Sequence, residues 1–328
     1  MDDATPDDLR QLVLADMARH FPGRDAAKTR IFADTSNFYD INAGDVVVLG
    51  GGEHRLLMGN NTREGRFGLD DEVKYWVKRA TDLATGERRI VKLAFYETFD
   101  ANVGGIKFEC FRSPGKEARI LELVRGHPNF MHGISLPDTA GNVVRILEIV
   151  PGKALPDRVL DLDCDHETYF RDHFPAFFDG FVEATRAMAL LHEHKEKHGD
   201  VRRDHIFVDS VTGRFRWIDF DYNFMHGENI YSLDVFGLGN TLIFLAGKGD
   251  IIVSRLKRDD PEAFERLYWE DISLVWQNRV ANLVKVFPYI PDSLSRILDQ
   301  FSNRATLTYE HAGQMLDDLE AARADLGR

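Results

Sequence analysis

The sequence predicts an α+β chain in two halves, strand-rich first and helical second. Short apolar runs with Gly-containing turns dominate residues 46–150. A connector at Pro151-Gly152 follows, and beyond it the apolar residues recur mostly at helical spacing. This order predicts a two-lobe plan with a cleft at the connector.

The elements follow in order. "TPDDLRQLVLADMARHF" opens as a helix start, with Leu9, Leu12, Val13 and Met17 on one predicted face, so residues 1–45 read as a helical extension. "DVVVLGG", "RLLMG", "VKYWVKRA" and "RRIVKLAF" read as strands, with "LATGE" as a hairpin turn. "GKEARILELVRG" places Glu117, Ile120, Leu121 and Val124 on one helical face, and a strand pair ends in "VVRILEIVPG". Residues 151–328 form the helical half. "YFRDHFPAFFDGFVEATRAMALLHEH" reads as one long buried helix carrying Phe174, Phe177, Phe178, Phe181 and Met188. "SLDVFGLGNTLIFLAG" is an apolar helix, and Pro261 to Leu326 reads as amphipathic helix.

Composition narrows the function. A chain of 328 residues with 44% hydrophobic and 29% charged content can bury a sizeable core. The net charge of −13 argues against a nucleic-acid partner, since nothing offsets repulsion from the phosphate backbone. Cys110 and Cys164 offer no disulfide framework and fit a reducing compartment. "MDDATPDD" lacks the apolar core of a secretory signal, and the longest apolar stretch is too short to span a bilayer. The expectation is a soluble cytoplasmic protein with no membrane partner.

Two segments carry the chemistry. "HGDVRRDHIFVD" sets Asp200 in a polar turn before a short strand, and "RWIDFDYNF" presents Asp219 after another. Two carboxylates on neighbouring loops suit one base and one metal ligand. With "RRIVKLAF", "KEARILELVRGHPNF" and "ILEIVPGKAL" in the same order, the chain resembles the protein-kinase-like superfamily over roughly residues 54–320. It is similar to atypical bacterial serine/threonine kinases, with features of aminoglycoside and choline phosphotransferases.

The resemblance implies a bilobal fold that binds ATP with Mg2+ or Mn2+ and transfers the γ-phosphoryl group to a hydroxyl-bearing protein or small molecule. Lys92 would hold the phosphates and Glu117 would orient it. Leu147 would sit at the gatekeeper position, with backbone groups of Glu148 and Val150 reading the adenine edge. Val77, Ile90 and Phe207 complete the implied nucleotide-binding set with Gly65 and Gly68, and Ile90 should narrow the adenine slot. Asp200 would accept or orient the acceptor proton, Arg202 would contact the phosphoryl group, and Asp219 would bind metal with Phe220 packed beside it. Asp234 would brace the catalytic loop, and His198 would be its structural His.

Three departures qualify these roles. His205 stands where kinases carry a metal-binding Asn; it would ligate a softer ion, bond phosphate as a cation, leave one metal site, or be structural. Gly59, Gly65 and Gly68 depart from the usual glycine-rich spacing. Only "DYNFMHGENIYSL" separates Phe220 from Asp234, where protein kinases place a long acceptor-docking segment. A small-molecule kinase and a nucleotide-binding pseudokinase therefore stand as alternatives. His192, His194 and His198 could also be read as a metal cluster, but a structural reading is preferred, as it is for Trp76 and Trp217.

Overall fold

A computed structural model describes residues 6–64, 72–103, 105–225, 229–305 and 309–326. The chain is α+β and divides into two compact units. The first comprises the described parts of residues 1–96, 113–126 and 131–149; the second comprises those of 97–112, 127–130 and 150–328.

In the first unit, helix α1 (Pro6–His20) precedes strands β1 (Ile31–Phe32), β2 (Val46–Leu49), β3 (His54–Glu64), β4 (Glu72–Asp82) and β5 (Arg88–Lys92). After an excursion into the other unit through β6 (Thr98–Val103) and β7 (Ile106–Arg112), the chain returns as α2 (Pro114–Leu123), β8 (Gly133–Pro137) and β9 (Val143–Glu148). The strands form a seven-stranded sheet in the order β1-β2-β3-β4-β5-β9-β8.

The run Val46-Val47-Val48-Leu49 is buried throughout because both of its faces are covered. Val46 and Val48 pack with Val13 and Met17 of α1, whereas Val47 and Leu49 join Leu56, Met58, Val91 and Ile146. Full burial of Val13 and Met17 contributes about 1.5–3 kcal/mol each, so α1 is docked by its apolar stripe. Leu12 departs from that prediction: it is exposed, because the packed row runs Leu9, Val13, Met17 at i, i+4, i+8.

Ser113 caps α2 by accepting from the Lys116 amide, and Pro114 starts the helix where no amide donor is needed. The predicted face is observed: Glu117, Ile120, Leu121 and Val124 are buried. Asp138, before the turn joining β8 to β9, accepts from the Thr35 amide at 2.6 Å and its hydroxyl at 2.7 Å, tying the N-terminal extension to that hairpin.

The second unit contains two small sheets. β7 pairs with β6 and with β13 (Tyr222–Met225), so residues 97–112 group here although the sequence placed them in the strand-rich half. β10 (Gly152–Ala154), β11 (Ile206–Asp209) and β12 (Phe215–Trp217) form the other. The helices are α3 (Leu155–Leu160), α4 (His166–Asp172), α5 (Phe174–Glu193), α6 (Ser232–Ala246), α7 (Val253–Asp259), α8 (Pro261–Glu265), α9 (Asp292–Asp299) and α10 (Ala312–Asp325).

Two predicted helices prove to be broken. α4 and α5 separate at His173, because Pro175 has no amide to donate to Arg171 and its ring crowds that carbonyl. Among its described residues, the span from Pro261 to Leu326 is helical only in α8, α9 and α10 and in single 3-10 turns. Between α8 and α9, buried Asp271 accepts from the Tyr268 amide, Asn282 Nδ2 and Arg304, which organises an irregular segment around one carboxylate. Helix α6 is apolar nearly all round and buried accordingly. Its Gly237 meets the loop ahead of β11: a Cβ there would lie 2.2 Å from the Val201 carbonyl, so only glycine permits this approach.

Candidate active site

In the first unit, β5 and β9 run antiparallel with Lys92 opposite Arg145, and Val77 lies opposite Lys92 on β4. Directly opposed residues share a face of the sheet, and α2 brings Glu117 to this one. Lys92 Nζ lies 2.8 Å from Glu117 Oε1, and Arg145 Nε lies 3.0 Å from Glu117 Oε2. Arg145 NH1 also donates to the carbonyls of Val143 at 2.8 Å and Leu93 at 3.2 Å. None of the three side chains is appreciably exposed. Desolvating three ions costs several kcal/mol apiece, so the cluster is poorly explained as a stability device. Two cations thus meet one carboxylate, each on its own oxygen.

The implied adenine-binding residues fall in both units. Ile90 lies opposite buried Leu147 in the β5–β9 ladder, with Glu148 one residue further along β9. The Glu148 side chain accepts from the His132 amide at 2.5 Å. Val150, buried, and Phe207, half-buried on β11, belong to the second unit. Gly65 and Gly68 lie outside the described residues, and Gly59 is within β3.

In the second unit, the loop 198–205 is organised from below by Asp234 on α6. This fully buried carboxylate accepts from the amides of His198 at 2.7 Å and Gly199 at 2.8 Å, and lies 3.2 Å from His192 Nε2. His198 accepts the Asp200 amide on Nδ1 at 3.3 Å, so Nε2 is the nitrogen that donates to the Ile218 carbonyl at 3.0 Å. A single imidazole thus joins the turn carrying Asp200 to the strand end carrying Asp219.

Asp219 adopts φ +63, a left-handed conformation that costs a non-glycine residue on the order of 1 kcal/mol or more and concentrates at functional sites. Phe220 beside it is fully buried, edge-on to Phe130 and His198. His205 is buried; its Nδ1 lies 2.8 Å from the Asp200 carbonyl, and its Nε2 lies 3.8 Å from Asp219 Oδ2. With the proton on Nδ1, the Nε2 lone pair faces the carboxylate.

Arg202 is held by the carboxylate of Asp204, with Nε 3.0 Å from Oδ1 and NH2 on Oδ2, while NH1 lies 3.9 Å from Asp200 Oδ2. To fork onto a phosphoryl group it would have to leave Asp204.

Two contributors escaped the sequence reading, and both are buried arginines. Arg145 interrupts the apolar run "VVRILEIV", and a charge inside such a strand was the available signal. Arg112, on β7, pairs with fully buried Asp221 at 2.6 Å, bonds the Tyr222 hydroxyl and lies over the Tyr222 ring at 4.1 Å. Burial opposes the Arg112 charge, but the carboxylates of Asp221 and Asp219 outweigh it and raise its pKa above the ordinary guanidinium value. Asp221 stands where the resembled family has the glycine of Asp-Phe-Gly; only the fold reveals its partner, 109 residues away.

The donor set was weighed for metal binding. Among the described residues no group of three His, Cys, Asp or Glu side chains converges on one point. Asp219 and His205 would supply two donors, which fits an ion that takes its remaining ligands from phosphates and water. His192 and His194 are engaged elsewhere: His192 Nδ1 accepts the Ala312 amide at 3.0 Å, and His194 Nδ1 lies 2.9 Å from the Leu190 carbonyl. Burial pushes the Cys110 thiol up to about 11, which disfavours a nucleophilic thiolate. Among the described residues no helix is long and apolar enough to cross a membrane.

Comparison with known proteins finds protein kinases. The chain is 28% identical over 109 residues to the putative ribosomal protein S6 kinase alpha-2 of Caenorhabditis elegans, covering 33% of this chain and 13% of that protein. It is 26% identical over 134 residues to sperm motility kinase Z of Mus musculus, covering 40% and 25%. Against the death-associated protein kinase dapk-1 of Caenorhabditis elegans it is 26% identical over 132 residues, covering 40% and 9%. No family model matches. The matched region spans a quarter or less of each relative. This distant similarity supports a place in the protein-kinase-like superfamily, and the α+β architecture is compatible with it.

Proposed function

We propose that the chain is an ATP-dependent phosphotransferase, an atypical serine/threonine protein kinase acting on a hydroxyl group. The observation that carries this reading is the buried 2.8 Å pair of Lys92 and Glu117, residues 25 apart that the fold brings together. Lys92 would neutralise and place the nucleotide phosphates, and Glu117 would hold the ammonium in position. The acceptor oxygen would attack the γ-phosphorus, the bond to the ADP oxygen would break, and the acceptor proton would pass to Asp200. A divalent cation on Asp219, with His205 Nε2 as a second donor, would neutralise charge on the phosphates. Asp234 and His198 would keep Asp200 and Asp219 in fixed relation by holding the backbone that carries them. A cytoplasmic location, where ATP is available, is part of the same proposal.

A specific observation favours a second reading. β13 begins two residues after Phe220 and α6 begins at Ser232, which leaves little chain to dock a peptide and suits a small-molecule acceptor. Transfer of radiolabelled γ-phosphate to the protein itself, to generic protein substrates and to a panel of small alcohols separates the two. A nucleotide-induced rise in Tm without transfer to anything would instead identify a nucleotide-binding pseudokinase.

A further inference from the structure

We propose that Arg145 is a positioning residue of the phosphotransfer site, holding Glu117, and with it α2, so that Lys92 stays aimed whether or not nucleotide is present. The inference rests on the ATP reading of Lys92. Lys92 and Arg145 face each other across the β5–β9 ladder, and each takes one oxygen of the same carboxylate. Glu117 is fully buried, so an oxygen left without a donor there would carry a large desolvation penalty.

Lys92 cannot serve both oxygens while also meeting phosphates. Once its ammonium turns toward a nucleotide, the carboxylate would lose part of its compensation, and α2 part of its anchor. Arg145 removes that conflict. Its NH1 is fastened to the carbonyls of Val143 and Leu93, which fixes the guanidinium before any ligand arrives and keeps it from following the phosphates. A lysine at 145 could supply charge but not this planar, backbone-anchored fork. NH2 of Arg145 is buried without a hydrogen-bond partner among the described residues, a cost more readily understood if the group's position matters.

The test uses the full chain. ATP affinity with Mg2+ is measured by calorimetry, and cooperative unfolding and Tm are followed in parallel, for wild type, Arg145→Met, Arg145→Lys, Glu117→Ala and the Glu117→Ala/Arg145→Met double variant. Positioning predicts that Arg145→Met weakens ATP binding about 10-fold, the scale of one lost charged contact, while still unfolding cooperatively. Arg145→Lys should recover part of the loss, and the double variant should bind no worse than Glu117→Ala. If Arg145→Met cannot be produced folded, Arg145→Lys still decides by its affinity, which should fall between wild type and Glu117→Ala. ATP affinity equal to wild type in the folded variants, or defects that multiply in the double variant, would overturn the inference. Wild type that binds no ATP would overturn the underlying reading, and that failure is visible before any variant is made.

Discussion

The two units hold their charged groups by different means. In the first, Lys92, Glu117 and Arg145 stand on two strands and a helix: ladder register sets Lys92 opposite Arg145, and the capped helix α2 brings Glu117 to them. In the second, Asp200, Arg202, His205 and Asp219 stand on loops and strand ends, where no ladder fixes them. There, buried acids do the work of register: Asp234 collects two loop amides, and Asp221 is gripped by Arg112. The lesson concerns tolerance. A site on regular elements fails when a side chain is lost, whereas a site on loops also fails when a distant brace is lost.

The sharpest way to break this comparison is at Asp219. Asp219→Asn should lower metal-dependent nucleotide affinity by on the order of 10^3-fold, the upper range for losing one preorganised electrostatic contact. Asp200→Asn should spare that affinity and abolish transfer, since Asp200 would address only the acceptor. Titration of both variants with ATP and metal decides; equal loss in the two would remove the distinction between base and ligand.

Bracing from a distance is tested at Arg112. Arg112→Met removes the guanidinium that buried Asp221 pairs with and should cost about 3 kcal/mol in urea unfolding, whereas Arg112→Met with Asp221→Leu should recover most of it. A single variant as stable as wild type would show that the pair braces nothing.

Within the first unit, Lys92→Met and Glu117→Ala should each reduce transfer about 10^2-fold, and together no further, because they act as one device. Defects that multiply would detach Glu117 from Lys92. His205→Asn should shift the ratio of Mn2+- to Mg2+-supported activity about 10-fold toward Mg2+, the scale of altering a metal's ligand environment. An unchanged ratio would leave His205 as a structural residue.

The smallest effect is expected at Asp138. Burial would raise its pKa, but hydrogen bonds from Asn142 and Thr35 prevail and hold it below the ordinary 3.8. A carboxylate with a depressed folded pKa contributes stability above its unfolded value and loses it as pH falls through the folded one. The Tm advantage of wild type over Asp138→Asn should therefore be constant near neutrality and shrink below about pH 3.8. A constant difference down to pH 2 would mean that the Thr35 contacts do not depend on the charge.

Much of this was legible in the sequence because local patterns are short-range. Apolar runs between turn signals exposed β2, β4, β5 and α6, helical spacing exposed α2, and the order of "RRIVKLAF", "KEARIL", "HGDVRRDH" and "IDFDY" marked Lys92, Glu117, Asp200 and Asp219 as one set. What the sequence could not determine was compensation across long separations. That Arg145 faces Lys92, that Arg112 meets Asp221, and that Arg202 is held by Asp204 depend on strand register, on a hairpin crossing to the other unit, and on rotamers in a folded loop. Even the break at His173 needed local geometry to outweigh an otherwise continuous apolar period. Sequence determined which charges are present and which elements carry them, because residue identity and apolar spacing are local properties of the chain. Tertiary structure decided which charges are paired, because pairing is a matter of distance, and distance between residues far apart in the chain exists only once it is folded.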